Sequence, residues 1–121
     1  MGTYSKIILS GSTDGQGIPV TGTTPSQGTT LHTAVTGAAD SIDEVWLYAY
    51  VGATTAREVS LAIGPTTATG SRLTHTVTAG DKQGLILLYP GLPLRNAKVV
   101  KGYATAADIV QIFGHVNRYA T

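Results

Sequence analysis

Cysteine is absent from this 121-residue chain. Its absence removes disulfide staples and every metal site built on thiolates, and it fits synthesis in a cytoplasm. Charge is scarce as well. Asp, Glu, Lys and Arg together make up 12% of the residues, against about 25% in an average soluble domain. With 42% hydrophobic residues and a net charge of +1, the chain has neither the low hydrophobicity nor the high charge of a disordered one. Its length suits one core and not two. The cations Lys6, Arg57, Arg72, Lys82, Arg95, Lys98, Lys101 and Arg118 are scattered, without the basic face that nucleic-acid binding requires. The one local group, Arg95, Lys98 and Lys101, reads as a solvated strand end. Long apolar runs are missing too. Ile7-Ile8-Leu9 falls short of the roughly 7–15 residues of a signal-peptide core, and nothing approaches the ~20 of a membrane span. Neither a leader nor a membrane partner is expected.

Recognisable chemistry is also lacking. His32, His75 and His115 fall on three different predicted strands, and no closely spaced histidine pair is present to seed a metal site. The carboxylates are Asp14, Asp40, Asp43, Glu44, Glu58, Asp81 and Asp108. Only Asp43 and Glu44 are adjacent, and neighbours on a strand point to opposite faces. Asp40, Asp81 and Asp108 flank turns, where Asp bonds its own backbone. No Gly-x-Ser-x-Gly elbow exists to present a serine nucleophile. Gly11, Gly15 and Gly17 lead into Ile18-Pro19-Val20, not into the helix a phosphate loop needs. No catalytic residue, cofactor or metal is expected.

What is present is a succession of short β-branched and aromatic runs between Gly, Pro and Asp turns. They predict about eight strands: Ser5–Leu9, Thr29–Val35, Ile42–Val51, Arg57–Ile63, Ser71–Thr78, Gly84–Tyr89, Lys98–Ala104 and Ile109–Tyr119. The breakers are Gly52-Ala53-Thr54-Thr55, Gly64-Pro65, Gly80-Asp81 and Pro90-Gly91-Leu92-Pro93, the last expected to stop its strand. No window carries helical periodicity; Thr105–Asp108 is long enough for one turn. The spacing is that of an all-β, antiparallel β-sandwich. Residues 1–28 read as a Gly/Thr/Pro-rich N-terminal arm with one short strand, and residues 29–121 as the sandwich, in one domain.

Alternation assigns faces. Val59, Leu61 and Ile63 should face inward, with Glu58, Ser60 and Ala62 wet; Leu73, His75 and Val77 should face inward, with Arg72, Thr74, Thr76 and Thr78 wet. In Ile42–Val51, Val45, Leu47, Ala49 and Val51 share one face, and Trp46, Tyr48 and Tyr50 share the other with Glu44. Gly84–Tyr89 is apolar on both faces. Such a strand needs a second cover, from a loop, the arm or another subunit. The aromatic row can pack beneath the arm, form a subunit interface, where Trp and Tyr are enriched, or stack on sugars. The candidate interface residues are Trp46, Tyr48 and Tyr50, with Ile18, Pro19 and Val20 of the arm.

The stretches Leu31-His32-Thr33-Ala34, Ile42-Asp43-Glu44-Val45-Trp46-Leu47-Tyr48-Ala49, Pro90-Gly91-Leu92-Pro93-Leu94, Val99-Val100-Lys101-Gly102-Tyr103-Ala104 and Ile112-Phe113-Gly114-His115-Val116-Asn117-Arg118 resemble small tailed-phage capsid decoration, or cement, proteins. The resemblance is one of pattern over most of the chain after Thr29. It carries no diagnostic motif and transfers no functional residue. It implies a jelly-roll-like sandwich that assembles as a homotrimer, made in the host cytoplasm and placed on the outer capsid surface of the virion. There it would clamp neighbouring major capsid proteins without catalysing a reaction. The alternatives are a carbohydrate-binding module, a tail or fibre component, and a small metal-dependent sandwich enzyme uniting the three histidines.

Overall fold

The computed structural model describes residues 2–37, 40–52, 57–64, 72–77, 84–105 and 110–121. Their strands are β1 (Thr3–Ile8), β2 (Ile18–Pro19), β3 (Thr29–Thr33), β4 (Ile42–Val51), β5 (Arg57–Ile63), β6 (Arg72–Val77), β7 (Ile86–Leu94), β8 (Val99–Ala104) and β9 (Val110–Ala120). Among the described residues the only helical piece is the 3-10 turn Pro25–Gln27. The expected breaks at 53–55, at Pro65 and at 80–81, the single turn at 106–108, and the strand ends Ser71 and Thr78 lie outside the described residues.

The strands form two antiparallel sheets packed face to face, the predicted all-β sandwich. The larger runs β1-β9-β4-β7, with β2 also on β9; the smaller runs β3-β8-β5-β6. β1 pairs with the C-terminal half of β9, and β2 with Ile112 and Gln111 further back along it. β1 and β2 are therefore one strand interrupted by the excursion from Leu9 to Gly17. Counted so, the described residues form eight strands in the order of a jelly roll. The two ends of the chain lie side by side, Thr3 opposite Ala120.

The core is aliphatic. Val45, Leu47, Ala49 and Val51 of β4 point inward and are buried, as their alternation predicts, together with Val110, Ile112 and Val116 of β9. Each such Leu, Ile or Val contributes about 1.5–3 kcal/mol on leaving water. Gly114 interrupts this row opposite Leu47. A Cβ there would collide with the Trp46 carbonyl oxygen and crowd Leu9 Cδ1 at 3.2 Å. Leu9, fully buried, thus fills the space that a side chain at 114 would claim.

Several expectations are corrected. Pro90-Gly91-Leu92-Pro93 does not stop its strand; β7 runs through it to Leu94. β7 is an edge strand paired with β4 alone, where missing N–H donors are tolerated. Its register shifts between Val45 and Leu47 and again between Leu47 and Tyr48, and Gly91 takes a φ of +64°; Pro90 falls in a bulge, and Pro93 pairs in register with Glu44 on the edge strand. The N-terminal arm is not merely draped on the sandwich. Val20 N–H donates to Val110 O of the larger sheet at 2.9 Å, and Ala104 N–H of the smaller sheet donates to Gly22 O at 3.1 Å. The arm crosses from one sheet to the other and supplies core residues as it goes.

β5 departs from its predicted wet face as well: Ser60 and Ala62 are buried. Both are small residues on a strand flanked by two others, opposite Tyr103 and Lys101, and Ser60 Oγ bonds Thr74 Oγ1 at 2.9 Å. Leu73 and Val77 of β6 pack inward. The side chains of Arg72 and His75 lie outside the description.

Candidate functional site

The outward residues of the larger sheet form a continuous layer. Register places Tyr50 beside Gln111, Tyr48 beside Phe113, Trp46 beside His115, Glu44 beside Asn117 and Ile42 beside Tyr119. The rows extend across the sheet. Leu87 stands beyond Tyr48 on β7, Pro19 beyond Gln111 on β2, and Ile8, Lys6 and Tyr4 beyond His115, Asn117 and Tyr119 on β1. The rings stack and tilt against one another. Trp46 lies nearly parallel to His115, centroids 5.8 Å apart, Tyr48 approaches the same ring at 6.3 Å, and Tyr4 leans on Tyr119 at 4.7 Å.

Much of this layer is open to water. Tyr4 is 82% exposed, Ile8 47% and Leu87 43%. Among the described residues, the second apolar face of the Gly84–Tyr89 segment is left uncovered, with Leu85 51% exposed as well. The excursion between β1 and β2 reaches the layer at its corner: a Cβ on Gly17 would strike Phe113 Cζ at 2.7 Å. That approach demands glycine and gives Phe113 a local cover.

Polar groups are few and are mostly tied to one another. Trp46 Nε1–H donates to Glu44 Oε1 at 2.8 Å, and Asn117 Nδ2–H reaches the same oxygen at 3.4 Å. Burial against the rings pushes the His115 imidazole below its ordinary range. The Lys6 charge pushes it the same way, against the opposing pull of Glu44. His115 therefore stays neutral near pH 7 and joins the apolar layer.

A second constellation lies inside the sandwich. Asp43, on the inward face of β4, has a fully buried side chain. Arg118 Nε–H donates to Oδ1 at 2.7 Å, and Arg118 Nη2–H to Oδ2 at 2.9 Å, a two-pronged pairing. His32 Nε2 lies 2.7 Å from Oδ2, and Val35 N–H donates to it at 3.1 Å. Ser10 N–H donates to His32 Nδ1 at 3.0 Å; Nδ1 is then the acceptor, and Nε2 carries the hydrogen given to Asp43. Burial pushes the Asp43 carboxyl up, but hydrogen bonds from Arg118 and His32, with the Arg118 charge, outweigh it and hold the group below the usual carboxylate range. The hydrogen bond to Asp43 raises Arg118 in turn.

Ser10, His32 and Asp43 have the residue types of a hydrolytic triad but not its geometry. The histidine is held by the serine's backbone N–H, and Ser10 Oγ accepts from Thr33 N–H at 2.7 Å. A triad needs the hydroxyl on the histidine and open to substrate, whereas His32 is fully buried with both ring nitrogens engaged. The constellation is a polar rivet. It ties the β1–β2 excursion, β3, β4 and β9 together.

The proposed interface residues divide by parity. Trp46, Tyr48, Tyr50 and Pro19 lie on the outer face, whereas Ile18 and Val20 are buried in the core and cannot meet a partner. The three histidines do not converge: His32 faces between the sheets, and His115 stands on the outside of the larger one. Among the described residues no cluster of three metal-ligating side chains and no cavity is present. Sequence reasoning did not assign Phe113, His115, Tyr119, Ile8 and Leu87 to the face. Alternation along β9 could have grouped the first three, but only the register joins them to Trp46 and Tyr48. Asp43 and Arg118 share the inward parity of Val45 and Val116, and a charge on a core face was the available signal for the rivet. No family model, curated protein or solved structure matches the chain.

Proposed function

We propose that the chain is a non-enzymatic structural protein of a phage virion. In this reading it sits on the outer capsid surface as a homotrimer and braces contacts between neighbouring major capsid proteins. The observation that carries the reading is the open aromatic face of the larger sheet. A face on which Tyr4, Ile8 and Leu87 stand exposed around half-buried Trp46, Tyr48 and Phe113 marks an interaction surface. The resemblance of the strand sequences to capsid decoration proteins, the jelly-roll order of the strands and the low charge all support it.

The work of such a protein is mass action. A ligand that binds only the assembled shell stabilises it by RT ln(1 + [L]/Kd) per site, about 2.7 kcal/mol at a hundredfold excess over Kd, and a capsid repeats the site many times. Co-sedimentation with empty shells of the host phage's major capsid protein tests this. Saturable binding at a fixed ratio, with a higher temperature of shell rupture, is expected; no binding at micromolar protein would overturn the reading. Sugar stacking is the second reading of the aromatic row. It needs open ring faces, and the stacking of Trp46 on His115 occupies them and favours a flat protein contact instead.

A further inference from the structure

We infer that the outer face of the larger sheet is where copies of this chain meet one another, with Trp46, Tyr48, Phe113, His115 and Leu87 at the centre of the contact. The inference deepens the proposed function by assigning its self-contact, and rests on that reading only for the expected number of copies.

Size is the first reason. β4 is ten residues long and turns five of them, Ile42, Glu44, Trp46, Tyr48 and Tyr50, to the face. At ~3.4 Å per residue and ~4.8 Å between strands, four strands present roughly 650 Å² in projection. A standard interface buries about 800 Å² on each partner, and side-chain relief over the flat projection accounts for the remainder.

Shape is the second. The face offers no cavity among the described residues, so a protruding loop or a small ligand finds nothing to enter. A broad, flat surface of another copy is the complement of matching shape.

Charge is the third. Asn117 separates the face's cation, Lys6, from its anion, Glu44, in one row across three strands. A strongly acidic or basic partner would meet no opposing field here. A second copy brings the same two charges, and rotation between copies can set the Lys6 flank of one against the Glu44 flank of the next. With a net charge of +1 per chain, long-range repulsion between copies is small.

The chain contains one tryptophan, and it stands in this contact, so association can be read without mutation. Light scattering on a sizing column should give a multiple of the 12.5 kDa chain mass, three under the proposed function. Dilution through the dissociation range should red-shift Trp46 emission as the ring meets water. Leu87→Asp and Tyr48→Lys should each lower the association constant at least tenfold with an unchanged far-ultraviolet circular dichroism spectrum. Thr30→Lys, on the smaller sheet, should leave it unaltered. A wild-type monomer at 100 µM overturns the inference, as does an oligomer whose tryptophan emission does not change on dissociation. Capsid co-sedimentation is read separately. An oligomer that binds no shell sinks the proposed function and leaves this contact standing; a monomer that binds shells does the reverse.

Discussion

The two faces of β4 and β9 are built from alternate residues of the same two strands, yet they are finished to different degrees. Inward, the large side chains other than Arg118 are aliphatic and buried, and the lone carboxylate, Asp43, has four donors. Outward, the side chains are aromatic and carry polar handles. They pack only against neighbours in their own sheet, with Leu87 and Ile8 about half exposed. Valine and leucine fill a closed space well but gain little from an open one. Trp, Tyr and His tolerate water at one edge and still bury a large area when a partner arrives. The inner face makes the fold, and the outer face is provisioned for a contact.

The sharpest way to break this contrast is at Asp43. Asp43→Ala leaves Arg118 and His32 without their acceptor and should cost about 3–5 kcal/mol in urea unfolding. A loss below 1 kcal/mol would mean that the rivet is ornamental. Next come paired truncations across the sheet. Leu47→Ala on the inner face should cost about 2–5 kcal/mol, and Leu87→Ala on the outer face within about 0.5 kcal/mol for the dissociated chain. Equal costs would erase the distinction between the faces.

Acid gives a graded version of the same test. The folded Asp43 sits below its unfolded value. Its stabilisation is therefore complete above the ordinary carboxylate range and is lost as pH falls through that range to the lower folded value. His115 is also depressed on folding, so its neutral form favours the folded state above about pH 6.5, and stability declines as pH drops below that. Urea midpoints between pH 8 and pH 3 should show both declines. Asp43→Ala should remove the lower one, and His115→Gln the upper. The smallest effect belongs to neither face. Ala97 holds a φ of +57° in the β7–β8 turn, and Ala97→Gly should gain about 1 kcal/mol at most while leaving association unchanged.

The sequence made some of this legible and hid the rest for physical reasons. Strand parity is local, so the burial alternation of β4 could be read directly from Ile42 to Val51. The all-β sandwich followed from turn spacing. Pro90 and Pro93 misled because a proline's cost depends on whether the strand is central or at an edge, which only the pairing decides. The fate of the arm depended on whether Ile18 and Val20 had a vacant place in the core. Half of the aromatic face was visible as Trp46, Tyr48 and Tyr50. The other half, Phe113 and His115, required the β4–β9 register, a contact between residues more than sixty positions apart. The rivet was harder still: it joins residues 10, 32, 43 and 118, and no spacing rule relates them.

The pairing of β1 with β9 has a kinetic consequence. It sets Thr3 against Ala120, so the loop that must close before these strands can meet spans almost the whole chain. Contacts of such high sequence separation are formed late and slow folding. A permuted chain opened at the Asp14–Gly15 turn, with its natural ends joined by a short linker, would convert this pairing into a simple hairpin. It should refold faster than the natural order at little change in equilibrium stability.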